Sequence, residues 1–363
     1  MCEKTLHKLT FIVLILFSFY ISDAQDSKTE ISFQTAEQYL IEQFNEKDVI
    51  FLGEYHRIKE HAEFVSKIIP LLHENGINIL FTEFANFIDT KLIDSLITAA
   101  TFNDSIARRI QFNNSWYWGY KEYVDIYYSA WKTNQNLRPN EIPFRIIGID
   151  FDENSIPNGI DPEQLWAQII DSCSLQRGIK SLVYCGIHHS FTHFHHPYLI
   201  NDTLKGFVST RVGNILFQKY PDRIITVLMH GPWVGYTYVT NISPCNGKID
   251  SLIVSFPENK REIGFSTSNI FFNNYYLTNS LYSIGYPNAT LKDLCQGYIV
   301  IKPICELNPV TIIPDFINDS NIDDCIKQSK MFNLTCKEFN DTIKSWFEED
   351  IKYFIELQKN ICK

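Results

Sequence analysis

Five short apolar runs in this chain each give way to a residue that can take or give a proton. Residues 49–52 lead into Gly53-Glu54-Tyr55-His56, and residues 77–81 into Thr82-Glu83. Residues 144–149 lead into Asp150-Phe151-Asp152, residues 181–185 into Gly186-Ile187-His188-His189, and residues 224–229 into His230-Gly231. A strand can end in any polar residue, but here all five end in Glu, Asp or His. A neutral imidazole near pH 7 accepts a proton from water, and a neighbouring carboxylate fixes its tautomer and stabilises the imidazolium. Several imidazoles with a carboxylate can instead hold a divalent metal that acidifies its bound water. Both routes lead to hydrolysis. Neither needs a serine nucleophile, and no G-x-S-x-G elbow is present.

Such residues act together only if the fold brings them together. Between the runs lie amphipathic segments over residues 60–74, 90–100, 162–171 and 204–219, and Thr35 is a suitable N-cap for another over residues 36–44. Unbroken apolar strands alternating with helices predict an α/β fold, a mostly parallel central sheet with helices on both faces. In such sheets ligands bind outside the carboxyl ends of the strands, where the five ionisable ends would share one cleft. His61 falls on the helix after His56. Residues 101–143, rich in Trp and Tyr, predict one or two helices inserted over the core. Residues 252–256, 262–265 and 298–301 read as further strands, and residues 336–360 as a closing amphipathic helix. His193, His195 and His196 read as a loop before Pro197.

The ends of the chain carry different signals. Lys4 and Lys8 precede or flank an apolar run over residues 9–21, and Ser22-Asp23-Ala24 follows. That run is short for a membrane span and fits a cleaved secretory signal over residues 1–24. The expectation is an exported protein, periplasmic or extracellular, with no membrane span after signal removal. Residues 25–363 then form a single domain, its core over about 48–310 and a helical extension over about 311–363. Of nine cysteines, Cys2 leaves with the signal, and five of the remaining eight follow residue 290. In an oxidising compartment these permit a stapled, Cys-containing C-terminal region. With 32 Lys and Arg against 42 Asp and Glu, the chain has a net charge of −10 and suits no nucleic acid partner. There is no glycine-rich phosphate loop.

The ordered elements Gly53-Glu54-Tyr55-His56, His61, Glu83 and Tyr184-Cys185-Gly186-Ile187-His188-His189 resemble the erythromycin-esterase/ChaN-like superfamily, which includes Tiki and TraB proteins. Over roughly residues 48–230 the resemblance implies an α/β fold with its site at the strand ends. It carries Glu54 and His56 onto the first motif, Glu83 onto the second strand and His189 onto the late histidine, with His188 where small residues are common. The resulting expectation is a hydrolase acting on a small-molecule or peptide substrate through an ester, lactone or peptide-like bond. Its catalytic residues are His56, Glu54, Glu83 and His189, with His188, Asp150, Asp152, His230 and His61 binding substrate. If a divalent metal is present, His56, Glu83 and His189 are its expected ligands. The alternative is a haem- or metal-binding uptake protein without turnover, since ChaN-like members bind haem.

Overall fold

In the computed structural model, which describes residues 33–151, 156, 159–237, 240–328 and 336–362, the five apolar runs are strands of one sheet. The strands are β1 (Gln34–Thr35), β2 (Val49–Glu54), β3 (Ile79–Asn86), β4 (Arg145–Asp150), β5 (Ser181–Gly186), β6 (His196–Ile200), β7 (Thr203–Val208), β8 (Ile224–Met229), β9 (Trp233–Val234), β10 (Asn241–Ile242), β11 (Ile263–Ser266) and β12 (Gly297–Val300). The main sheet has eight strands in the order β1-β11-β12-β8-β2-β5-β3-β4. From β12 to β4 every pair is parallel; β11 and β1 add an antiparallel edge. The remaining strands form the hairpin pairs β6–β7 and β9–β10. The predicted α/β class is the one observed. The described chain from Gln34 onward forms one compact unit. The expected signal over residues 1–24 lies outside the described residues.

Side-chain alternation gives the sheet two apolar faces. Ile50, Leu52, Leu80, Leu182 and Tyr184 point to one, Val49, Phe51, Phe81, Val183 and Cys185 to the other. The first is covered by α1 (Ala36–Gln43), α2 (Lys59–Glu74), α3 (Thr90–Ile97), α4 (Asp104–Asn114) and α5 (Lys121–Asn134). The second is covered by α6 (Pro162–Cys173) and α7 (Val212–Lys219). The chain therefore leaves β2 through α2 to one face and leaves β5 toward α7 on the other. These two strands are neighbours. Their connections diverge, which opens a crevice at their carboxyl ends.

Local chemistry explains the helices. In α2, Phe64, Val65, Ile68 and Leu72 recur at helical spacing and are buried. Pro70 lies inside that helix and has no N–H to offer the Ser66 carbonyl, four residues earlier. The Ser129 hydroxyl on α5 donates to that carbonyl instead, at 2.5 Å. Ser129→Ala leaves it unpaired and is expected to destabilise the fold by about 1 kcal/mol, read as a shift of the urea midpoint at unchanged slope. Thr35 caps α1 by accepting from the Gln38 amide, as expected. The insertion over residues 101–143 supplies two helices, α4 and α5.

Two expected elements are corrected. Residues 204–219 are not one helix: Thr203–Val208 pairs with His196–Ile200, and only Val212–Lys219 is helical. The turn between the paired strands is Asn201-Asp202, both left-handed at φ 48° and 57°, a pair of residues suited to a tight hairpin turn. Residues 252–256 belong mostly to α8 (Lys248–Val254), which buries Ile249 and Ile253 one turn apart. The strands predicted at 262–265 and 298–301 are β11 and β12.

The chain continues through α9 (Leu291–Leu294) and α10 (Ile322–Gln328) to α11 (Cys336–Ile361), the closing helix expected over 336–360. Cys305 is disulfide-bonded to Cys362 across 57 residues, a loop whose closure is worth about 4 kcal/mol in the chain-entropy view. Cys173, Cys185, Cys245, Cys295 and Cys325 are free thiols. No helix among the described residues is long and apolar enough to cross a membrane.

Candidate active site

Glu54 is the last residue of β2 and shares the facing of Leu52, toward α5. There it is fully buried, and its carboxylate accepts from the Tyr123 hydroxyl at 2.7 Å and from the Tyr184 hydroxyl. Burial and the Glu54 charge push both phenols well above their ordinary range, so both remain donors. The same carboxylate accepts from His56 Nδ1 at 2.8 Å. The backbone after His56 turns sharply, with Arg57 left-handed at φ 67°, and the Arg57 amide donates to the Tyr123 hydroxyl at 3.2 Å. Tyr123 thus ties the loop to the carboxylate that orients the imidazole.

Glu83 sits where the β3–β4 register slips, between Thr82 and Asn86. It lies within the strand rather than beyond its end. His56 Nε2 lies 3.5 Å from Glu83 Oε1, and His189 Nε2 lies 3.9 Å from Glu83 Oε2. Neither is a hydrogen bond, and Oε2 is buried without a hydrogen-bonding donor among the described residues. Gly186 makes this approach possible. A Cβ there would stand 2.7 Å from His56 Cε1 and 2.8 Å from Nε2, so any other residue displaces the ring.

His189 repeats the His56 arrangement from the other side of the crevice. Its Nδ1 lies 2.7 Å from Glu163 Oε1, in the first turn of α6. Glu163 also accepts from Arg211 Nη1 and from the Val212 amide, each at 2.7 Å. The resulting order is Glu54, His56, Glu83, His189, Glu163, Arg211: three carboxylates, two imidazoles and one guanidinium. Burial works against protonating His56, but the Glu54 hydrogen bond and the Glu83 and Glu54 charges outweigh it, and its pKa is raised. Burial likewise opposes protonation of His189, and Glu163 and Glu83 outweigh it. Glu163 is lowered: its burial is overcome by His189 and Arg211.

These groups open on a pocket of about 530 Å³. Glu54, His56, His188 and His189 line it, with Tyr117, Trp118, Ile187, Val234, Tyr282 and Phe354 among its apolar walls. His56 is recessed in it, yet 41% of its side chain is accessible. Trp118 meets the His56 ring edge-on at 5.3 Å. The aromatic insertion thus serves two purposes. Tyr120, Tyr123 and Tyr127 are core, while Tyr117 and Trp118 face the pocket.

The other expected binding residues separate. His188 lines the pocket, shares a 3.2 Å hydrogen bond with the Tyr282 hydroxyl and stacks on His196 at 4.8 Å. Burial, then the nearby His196 and Arg211 charges, hold it well below its ordinary pKa. His230 is buried behind the sheet end, bonded to Tyr298 at 3.0 Å and Asp250 at 3.1 Å, and does not line the pocket. His61 is buried on α2 with its Nε2 3.0 Å from the His230 carbonyl, also outside the pocket lining. Both are buried, and neither lines the pocket in which substrate contacts are expected of them. Asp150 closes the edge strand β4 and does not line the pocket. Asp152 lies outside the described residues. His196 begins β6 rather than lying in a loop.

Among the described residues, no group of three or more His, Cys, Asp or Glu is placed to hold a metal ion. His56 and His189 direct Nε2 at Glu83 and engage Nδ1 with Glu54 and Glu163, so the expected ligand set is arranged as ion pairs. A haem iron would need a free imidazole nitrogen in the pocket. His188 engages its Nε2 with Tyr282, while the Nε2 atoms of His56 and His189 stand 3.5 and 3.9 Å from Glu83, outside hydrogen-bond distance. His56 thus meets that requirement for haem, while the ligand set expected for a divalent metal is not met among the described residues.

No protein-family profile matches the chain, and no curated protein matches it. Among solved structures the chain is similar to a Bacillus cereus protein at 10% identity, over 76% of this chain and 92% of that one, with a TM-score of 0.44. It is similar to the type III effector HopBA1 at 12% identity, over 57% and 89%, with a TM-score of 0.34. It is also similar to ChaN of Campylobacter jejuni, described with cofacially bound haem, at 16% identity over 53% and 85%, with a TM-score of 0.33.

Sequence reasoning missed Glu163, Arg211, Tyr123, Tyr184 and Trp118. Only Tyr184 carried a usable signal: it stands two residues before Gly186 in β5, and alternation puts it on the Glu54 face. Glu163 reads as an ordinary acidic residue of a helix first turn after Asp161-Pro162. Tyr123 and Trp118 belong to the aromatic stretch 112–131, which reads as core between helices or, alternatively, as a substrate-facing wall.

Proposed function

We propose that the protein is a hydrolase that activates water with His56. The single observation that carries this reading is the placement of two pocket-lining imidazoles, each oriented by its own buried carboxylate, with their Nε2 atoms facing the two oxygens of the buried Glu83. With Nδ1–H donated to Glu54, His56 offers its Nε2 lone pair to a water. The water oxygen attacks the scissile carbonyl as its proton passes to His56 Nε2. His189, protonated at Nε2, gives its proton to the leaving group. Glu83 stabilises whichever imidazole is charged, so one proton can be held on either side of it. The substrate is a small molecule or peptide with an ester, lactone or peptide-like bond beside an apolar group that the aromatic walls accept. The resemblance of Gly53-Glu54-Tyr55-His56 and Gly186-Ile187-His188-His189 to the erythromycin-esterase/ChaN-like superfamily supports this class. The signal pattern over residues 1–24 supports a periplasmic or extracellular setting for this activity.

The test is hydrolysis of p-nitrophenyl esters by the purified chain, together with its visible spectrum. Turnover lost in His56→Ala supports the reading. A stoichiometric Soret band on haem addition with no turnover would replace it with the haem-binding alternative. A second check addresses the raised imidazole. In Glu54→Gln the hydrogen-bonded anion is gone, so His56 is expected to titrate lower than in the wild type when followed by the NMR shift of its Hε1 proton. An unchanged midpoint contradicts the role given to Glu54.

A further inference from the structure

The last described helix returns to the pocket. Phe354 is buried with Ile58, Ile304 and Leu307, against Tyr55, and forms part of the wall facing His56. One turn on, Gln358 donates to the Ile304 carbonyl at 2.8 Å and the Leu307 carbonyl at 2.5 Å. A further turn on, Cys362 is bonded to Cys305. Phe354 and Gln358 lie four apart on one face of α11, and Cys362 follows just past its end, its amide donating to the Gln358 carbonyl at 2.8 Å. All three anchor on residues 304–307. Ile58 and Tyr55 flank His56 in sequence, so the helix packs on the loop that carries the candidate base.

We infer that Phe354 is a specificity-determining wall of this pocket, which limits the length of the apolar acyl group beside the scissile bond, and that the Cys305–Cys362 bond holds the wall in place. This rests on the hydrolase reading. The C-terminal extension then does more than staple the fold. It lines the pocket with an apolar ring alongside Trp118 and Ile187, and the Cys305–Cys362 bond fixes the helix end that carries that ring. Without the bond, Gln358 and the buried patch alone hold the wall.

The experiment uses the full chain and compares the wild type with Phe354→Ala, Phe354→Leu and the double variant Cys305→Ser/Cys362→Ser. The readouts are kcat/KM for p-nitrophenyl acetate, butyrate and octanoate. In Phe354→Ala and in the double variant the octanoate-to-acetate ratio of kcat/KM is expected to rise at least 10-fold. The Leu variant, which keeps the packing, is expected to lie between. An equal change for all three esters shows a purely structural role and overturns the inference. If the wild type hydrolyses none of them, the hydrolase reading fails, and the wall is read separately by diethyl pyrocarbonate. Carbethoxylation of His56 is expected to accelerate at least 5-fold in the alanine and double-serine variants, with His73 as an unchanged internal control. Equal His56 rates in all variants overturn the wall itself.

Discussion

His56→Ala is expected to lower kcat/KM for an ester substrate by about 10³-fold, the scale lost with a positioned general base, while the chain stays folded. The fold is spared because His56 sits in a loop and its side chain is 41% accessible, with two edge-on ring contacts, to Phe84 and Trp118, as its packing. What the substitution does remove is one donor to Glu54. That carboxylate keeps two others, the Tyr123 and Tyr184 hydroxyls, so it is not left buried and unpartnered. The stability change is therefore about 1 kcal/mol or less, read from a chemical denaturation curve beside the kinetics. Loss of folding with loss of rate would mean that the residue acts structurally.

Glu163→Ala is expected to do the reverse in proportion: a large loss of stability together with a loss of rate. Glu163 is buried and holds three donors at once, His189, Arg211 and the Val212 amide at the start of α7. Removing it leaves a mostly buried guanidinium without its partner and an amide without an acceptor. Breaking a buried pair in this way costs about 3 kcal/mol, measured as the shift in urea midpoint. The sign of its pH dependence is fixed. The Glu163 pKa is lowered in the fold, so its contribution is present above the unfolded value, near 4.5, and is lost as pH falls through the lower folded value. The His189 pKa is raised, so its contribution is present below about 6.5 and is lost as pH rises through the folded value. The stability gap between wild type and Glu163→Ala should accordingly be widest between those limits and narrow on both sides. A gap that does not vary with pH would contradict the ion-pair chain.

The parallel sheet was legible because β2, β5 and β8 are buried on both faces and so read as unbroken apolar runs. The convergence of Glu54, His56, His188 and His189 followed from strand-end position alone, because β2 and β5 are neighbours whose connections part to opposite faces. His230 and His61 were misplaced for a related reason. A strand end predicts proximity to the rim, yet His230 turns back onto Tyr298 and Asp250, and His61 faces inward from α2. Glu163 and Arg211 were invisible because their partners are set by packing between α6, α7 and the β5 end, distances of 26 and 48 residues along the chain. The β6–β7 hairpin was legible in principle: Asn201-Asp202 between two β-rich stretches is a turn signal, overridden here by a helical reading of the residues that follow.

In the proposed mechanism two imidazoles around Glu83 divide the roles of base and acid. Its most direct test is the pH dependence of kcat/KM for p-nitrophenyl butyrate, wild type against His189→Gln. The account predicts a bell whose two apparent pKa values belong to the coupled pair, both above about 6.5, and loss of the alkaline limb in the variant. A wild-type profile that is flat across that range, or a bell that His189→Gln leaves intact, would contradict it.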